Sequence, residues 1–336
     1  LTLLKGCRQF SQVLIQFRRI QQTIFSQIVE GFRLLLQIVE LCPVSITLTF
    51  LGFGAVLNVD HTANILCSCK NRQIPLLLTV NKSQWFCTKN GLDIYRPAHT
   101  QHILPVIINV HGGGLVMGNK EFNRFFCAQL CKMGFLVFSI EYRLVPEVQV
   151  FQQYEDVAAA MDYIDDSILV YGGDPNHIYM VGDSAGAYLI VYTVAMQKST
   201  SLAAAAKVEP SKLQIRALGL ISGMFYTRRF DQIGLFLPKT LYGRNYKKMP
   251  FLPFTNPEHP EITTNLPPCI LVTSHADNLR QYTIDFYEAL CRNSAICELL
   301  DFAPDKRLTH AFSVFYPALG ESQEAINAIA QFFHLH

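Results

Sequence analysis

One hexapeptide constrains the fold of this chain more than any other feature: Val181-Gly182-Asp183-Ser184-Ala185-Gly186. It sits where an apolar, strand-like run at 178–181 gives way to a helix-forming run at 185–197. A serine framed by glycines two residues before and two residues after reads as a strand–turn–helix elbow. The turn is too tight for bulk at the flanking positions, and it leaves the hydroxyl projecting above a sheet. Gly-x-Ser-x-Gly also arises in ordinary glycine-rich turns, so the reading needs partners elsewhere in the chain.

The first partner lies upstream. The apolar run 106–110, VIINV, reads as a buried strand and leads directly into His111-Gly112-Gly113-Gly114. A glycine loop after a central strand lets backbone N–H groups approach a substrate without side chains in the way, and so offers donors to a developing oxyanion. A serine hydroxyl is a weak nucleophile at its free pKa; it needs a base within hydrogen-bond reach and a third group to orient that base. In a strand–elbow–helix arrangement the chain order is Ser, then Asp or Glu, then His. Asp277 follows the apolar run 269–273 and precedes a helical run at 280–292, which places a carboxylate just past a strand end. His310 follows the strand-like 295–302 and precedes the final helix, 321–333. Ser184, Asp277 and His310 are therefore the candidate catalytic set.

Other residues compete for these roles. His275 would break the expected order as base, His259 lies in a Pro-rich stretch, and His334 and His336 lie at the chain end. Asp301 and Asp305 are alternatives to Asp277, although Asp305 looks like a turn residue beside His310. Asp183 adjoins the serine and is expected to brace the elbow. His111 precedes the nucleophile and is expected to hold the glycine loop by local hydrogen bonds.

Punctuation along the chain gives a coarse topology. Runs at 76–80 and 93–95 read as early antiparallel strands, followed by strands at 106–110, 135–140, 178–181, 217–221, 269–273 and 295–302, with helical runs such as 154–164 between the later ones. Strands alternating with helices imply a mostly parallel sheet flanked by helices. The interval 224–266, rich in aromatics and prolines, departs from that rhythm and reads as a cap insertion; Phe225, Tyr226, Phe230, Phe236, Tyr242 and Phe251 are its candidates to line an apolar pocket, or equally its own core. A hydrophobic fraction of 50% is ample for a sheet buried on both faces, and 28 Lys and Arg against 26 Asp and Glu give no signal for a nucleic-acid partner.

Four ordered motifs then carry a family resemblance. HGGG at 111–114, YRLVPE at 142–147, GGDP at 172–175 and GDSAG at 182–186 resemble the hormone-sensitive lipase family of α/β-hydrolases, which includes bacterial esterases and arylacetamide deacetylase. The resemblance runs from about residue 92 to the C-terminus. It implies an α/β-hydrolase fold with a helical cap and a serine carboxylesterase acting through Ser184, Asp277 and His310, while the aromatic, apolar character of 224–266 favours short- to medium-chain acyl esters as substrate. It also implies oxyanion donors on the backbone N–H groups of Gly112, Gly113 and Ala185, and no cofactor or metal. An amide hydrolase with the same triad, or a catalytically silent ligand-binding relative, is the alternative. Three positions depart from the family pattern: Gln281 stands where Asp-x-Leu-x-Asp has its second carboxylate, Ala311 replaces the glycine of His-Gly-Phe, and Ala187 follows GDSAG in place of glycine.

Residues 1–70 read as a separate N-terminal segment ahead of a catalytic domain at 71–336. Apolar residues recur at helical steps through 10–32, an amphipathic helix suited to capping the site, lying on a membrane or packing on the core, with the cap as first choice. The uncharged run 41–59 has the length of a membrane span, but Pro43, Gly52 and Gly54 make it a poor uninterrupted helix. The chain begins at Leu1, which leaves room for an upstream start or targeting segment. Ten cysteines without paired CxxC sets argue against zinc and read as buried reduced thiols, with a bond within one pair left open. They favour a reducing, cytoplasmic location, with membrane association through the N-terminal segment as the alternative.

Overall fold

Unbroken apolar runs, rather than alternating ones, dictate the centre of this molecule. In the computed structural model, which describes residues 78–85, 91–98, 100 and 102–336, they form the inner strands of an eight-stranded sheet. The strands are β1 (Leu78–Trp85), β2 (Gly91–Pro97), β3 (Leu104–Val110), β4 (Leu136–Ile140), β5 (Gly173–Asp183), β6 (Ala217–Ile221), β7 (Cys269–Ser274) and β8 (Cys297–Phe302). Their spatial order is β1-β2-β4-β3-β5-β6-β7-β8. The β1–β2 and β2–β4 pairs are antiparallel, and every later pair is parallel. β4, β6 and β7 are buried at every position, as parallel strands covered by helices on both faces require. β8, at the edge, is only half-buried along most of its length.

The helices are α1 (Arg124–Lys132), α2 (Val150–Ser167), α3 (Ala185–Met196), α4 (Thr200–Ala206), α5 (Gln232–Phe236), α6 (Pro238–Tyr242), α7 (Pro260–Thr263), α8 (Arg280–Arg292), α9 (Phe312–Phe315) and α10 (Gly320–Leu335). Because successive strand residues point to opposite faces, β3 feeds two cores. Val106, Ile108 and Val110 pack with Tyr154 of α2, Leu189 of α3 and Phe286 of α8, whereas Ile107 packs with Phe126 of α1 and Ile326 and Phe333 of α10. The result is a three-layer α/β/α arrangement, mostly parallel and flanked by helices as the sequence pattern requires.

The strand order reverses around β3, since the chain leaves it for β4 on one side and returns to β5 on the other. At such a switch point the ends of the parallel strands open into a crevice. The pairings Val110↔Gly182, Asp183↔Ile221, Ile221↔Val272 and Ser274↔Phe302 bring the C-terminal ends of β3, β5, β6, β7 and β8 to one rim. The loops carrying residues 111–114, Ser184, Asp277 and His310 all leave from it.

Residues 224–266 break the strand–helix rhythm with short helices and two 3-10 turns. A chain of hydroxyls ties them to the main helices: Tyr154 donates to Tyr188 at 2.7 Å, Tyr188 bonds Tyr242 at 2.8 Å, and Tyr242 bonds Thr227 at 2.7 Å. Buried hydroxyls satisfied in this way fix the insertion's docking where apolar contact alone would let it slide. Among the described residues no helix is long and apolar enough to cross a membrane. The runs 10–32 and 41–59, and the segment 1–70 as a whole, lie outside the described residues.

Candidate active site

Ser184 has φ 50° and ψ −115° and is the residue on which α3 begins. A side chain with Cβ reaches this region only at a cost of roughly 1–3 kcal/mol, which the surrounding contacts must offset. Its N–H donates to Ile221 O at 2.8 Å, and its carbonyl accepts from Met224 N at 2.9 Å, so the end of β6 and the loop after it hold the turn. The flanking glycines are steric necessities. A Cβ on Gly186 would lie 2.0 Å from Val110 O, and one on Gly182 would lie 2.9 Å from both Val110 O and Gly186 C. Ala187, by contrast, is accommodated in the fully buried first turn of α3.

Asp277 and His310 meet across the rim. His310 Nδ1 lies 2.8 Å from Asp277 Oδ1, which also accepts from Leu279 N at 2.8 Å, while Oδ2 accepts from Thr273 Oγ1 at 3.1 Å. Burial on its own would raise the Asp277 carboxyl, but the hydrogen bond and charge of His310, with the Ser222 hydroxyl and the Leu279 N–H, outweigh it and hold it below its ordinary value. Burial would likewise depress His310; the bond to Asp277, then the charges of Asp277 and Asp183, outweigh it and raise the imidazole above 6.5. The pair is thus a buried carboxylate holding an imidazole by its Nδ1 side.

No hydrogen bond joins Ser184 Oγ to His310 in this structure. Their two loops are tied through the end of β6: Ile221 O takes the Ser184 N–H, and the adjacent Ser222 Oγ accepts from Ala311 N at 3.1 Å. Ser222, itself at φ 50° and fully buried, links these loops and is marked by no motif in the sequence. Ala311 has φ 52°, which explains why glycine suits the position and shows that alanine accepts it here.

The competing residues are engaged elsewhere. Asp301 pairs with Arg280 through 2.9 Å and 3.2 Å bonds and lies 3.6 Å from His275, and Asp305 pairs with Arg307. Gln281, at the lost second carboxylate, bonds Asp285 at the surface and has no part in the site. His259 is half-buried and accepts from Glu261 N at the start of α7. His334 stacks on Phe135.

The glycine loop corrects one expectation. Gly112 N donates to Asp183 Oδ1 at 3.1 Å, so this N–H is spent inside the protein and is not an oxyanion donor. Among the described residues, the N–H groups of Gly113, Gly114 and Ala185 have no protein acceptor. Gly113 has φ 111°, and a Cβ there would lie 2.1 Å from Met117 O, so its conformation is open to glycine alone. Asp183 braces the elbow as expected, and it does so with Asn123, whose Nδ2 donates to it at 2.8 Å. Burial raises the Asp183 carboxyl, opposed by that bond. The loop's first carbonyl is held by Tyr142, whose hydroxyl donates to His111 O at 2.9 Å while its ring stacks on the His111 ring at 4.3 Å. Tyr142 lies in the YRLVPE motif; Asn123 carries no local signal.

The aromatics of the insertion are also partly reassigned. Phe230 is 95% exposed and lines nothing, Phe225 stacks on Phe286 at 4.2 Å, and Tyr242 and Phe251 are buried in the tyrosine cluster. Phe225, Tyr242 and Phe251 are therefore packed into the buried core.

The BD-FAE family model matches residues 92–283, more than half of the chain. The chain belongs to the BD-FAE family. That range includes the glycine loop, the elbow serine and Asp277, in keeping with the hormone-sensitive-lipase-like motifs of the sequence. A probable isoprenylcysteine alpha-carbonyl methylesterase of Arabidopsis thaliana is 29% identical over 192 residues, covering 54% of this chain and 40% of that protein. The chain spans less than half the length of the curated relatives it matches. Among solved structures, esterase B from Lactobacillus rhamnosis superposes with a TM-score of 0.72 at 21% identity, covering 79% of this chain and 88% of that one. A hyperthermophilic esterase from the archaeon Pyrobaculum calidifontis superposes with a TM-score of 0.58 at 25% identity, covering 73% and 80%. The fold of this member of the family is that of the α/β-hydrolase esterases.

Proposed function

We propose that this BD-FAE family member is a serine carboxylesterase in which Ser184 is the nucleophile, His310 the general base and Asp277 the group that orients it. The observation that carries the reading is the 2.8 Å contact of His310 Nδ1 with a buried carboxylate, on the same rim as a serine held at φ 50°. His310 takes the Ser184 proton as the hydroxyl attacks the ester carbonyl, and the N–H groups of Gly113, Gly114 and Ala185 receive the oxyanion. The imidazolium then protonates the leaving alcohol, and water hydrolyses the acyl-enzyme with His310 again as base. Asp277 fixes the tautomer and stabilises the transient cation, which accounts for the raised His310 pKa. The methylesterase and carboxylesterase names of the relatives support an ester of a small alcohol as substrate class. Residues 224–266 serve as the cap over that site.

The test is labelling with a fluorophosphonate probe alongside turnover of a short-chain p-nitrophenyl ester, on wild type, Ser184→Ala and His310→Ala. Labelling of wild type alone, with turnover lost in both variants, is the expected result. A folded wild type that neither labels nor turns over would overturn the assignment in favour of a ligand-binding relative.

A further inference from the structure

Away from the rim that carries Ser184, two thiols face each other. Cys291 lies in the last turn of α8 and Cys297 opens β8, at the opposite end of the strand from the loop leading to His310. The reversal between them is fixed by its own backbone: Ser294 has φ 55°, and Ala295 N donates back to Leu290 O at 3.0 Å. It brings Cys291 Sγ to 3.5 Å from Cys297 Sγ. Cys291 is exposed and Cys297 half-buried, in contrast to Cys127, Cys131 and Cys269, which are buried. A disulfide needs about 2.05 Å between sulfurs, so closure asks for a sulfur displacement of only about 1.5 Å, within reach of side-chain rotation.

Among the described residues, Cys269 is a rival partner, since it lies opposite Cys297 in the β7–β8 register. It is fully buried, and its thiol donates to Pro267 O at 3.1 Å, which leaves it closed to reagents from solvent. The remaining two thiols are unequal. Burial, then the neighbouring Cys291, pushes the Cys297 thiol up to about 12, whereas Cys291 stands open to water. The exposed thiol is therefore the one to react first, and the half-buried one is placed to resolve what forms.

We propose that Cys291 and Cys297 form a modification site for low-molecular-weight disulfides such as oxidised glutathione, closing reversibly to an intramolecular cystine. The Cys291 thiolate attacks one sulfur of the reagent; that S–S bond breaks, one reagent thiol leaves with a proton from solvent, and a mixed disulfide stands on Cys291. The Cys297 sulfur, losing its proton to solvent, then attacks the Cys291 sulfur and expels the second reagent thiol. Two protein thiols are oxidised and one reagent disulfide is reduced to two thiols, so the exchange balances without a further oxidant. The bond ties the end of α8 to the start of an edge strand, closing a loop of seven residues, 291–297, and raising the cost of peeling β8 from the sheet. It lies at the far end of β8 from the rim, so esterase chemistry is left alone.

The sequence makes the test direct, because Arg292 separates the two cysteines. Trypsin, cutting after Arg280, Arg292 and Lys306, releases 281–292 and 293–306 as separate peptides unless a disulfide joins them. The full chain is incubated with oxidised glutathione, alkylated, digested without reduction and mapped by mass spectrometry, with Cys291→Ser and Cys269→Ser as controls. The expected result is the joined peptide pair in wild type and Cys269→Ser, absent in Cys291→Ser, with a Tm higher by roughly 5 °C that dithiothreitol reverses. Free, alkylated Cys291 and Cys297 after oxidation, or Cys291 joined to another cysteine, would overturn the site. A joined pair with unchanged Tm would overturn the tether. Both readouts are independent of whether the chain hydrolyses esters.

Discussion

His111 gives this protein a pH-dependent stability that can be worked from its surroundings. The ring is fully buried between the glycine loop and Tyr142, with Nδ1 2.8 Å from Gly112 O. Burial first, and then the charge of Lys120, lower its pKa from 6.5 to about 4 against the raising effect of the Gly112 carbonyl. The neutral ring donates Nδ1–H to that carbonyl; a second proton would place a charge in the core with no acceptor for Nε2 among the described residues. In the unfolded chain His111 takes up a proton as pH falls below 6.5, whereas the folded protein resists until about 4. Stability is therefore full above 6.5, declines as pH falls through this window and levels off below it. At about 1.4 kcal/mol per pH unit the loss is about 3 kcal/mol, a large fraction of a typical domain's stability. The perturbation is His111→Asn, whose amide keeps a donor for Gly112 O but does not titrate. Urea unfolding of both proteins between pH 7 and pH 4 isolates the effect, because titrating carboxylates common to both cancel in the difference. The variant is expected to be less stable at pH 7, with the gap closing by about 3 kcal/mol toward pH 4. A gap that stays constant with pH would refute the reasoning.

Three further outcomes follow from the rim. Because Asp277 and Asp183 raise the imidazole, kcat/KM for ester hydrolysis is expected to fall on the acid side with a midpoint above 6.5; a midpoint below 6.5 would contradict a carboxylate-paired base. Asp277→Asn is expected to cut kcat by about 10³–10⁴-fold and shift that midpoint downward, while Asp301→Asn, which loses only its Arg280 and His275 contacts, stays within about twofold of wild type. Gly186→Ala drives a Cβ to within 2.0 Å of Val110 O and is expected to cost at least ~3 kcal/mol or abolish soluble expression, measurable by urea unfolding against Ala187→Gly at about 1 kcal/mol.

The inner strands were legible because a strand buried on both faces must be apolar without interruption, and the chain has few such runs. Strand limits were less so. β5 begins at Gly173 rather than 178, because the ladder resumes at Leu104↔Gly173 beyond a register shift that skips 174–177, a stretch without the apolar run that marks the rest of the strand. The loops of Ser184, Asp277 and His310 were legible for the same reason as the strands: each begins where an apolar run stops, and in a parallel sheet those stops share one rim. What the rim's donors are doing was not legible. Three consecutive glycines offer three N–H groups, and which of them is spent depends on Asp183, brought to Gly112 only by the β3–β5 register. Ser222 and Asn123 enter the site in the same way, through pairings between segments that carry no mutual signal along the chain, and Phe230 leaves it because the insertion turns that ring outward. Chain order and periodicity thus report which loops converge, whereas the division of each loop's polar groups between holding the fold and meeting a substrate is set by contacts between distant segments. A residue such as Gly112, conspicuous and beside the elbow, is where a reading by motif goes astray, since its one donor is already satisfied by the carboxylate next to Ser184.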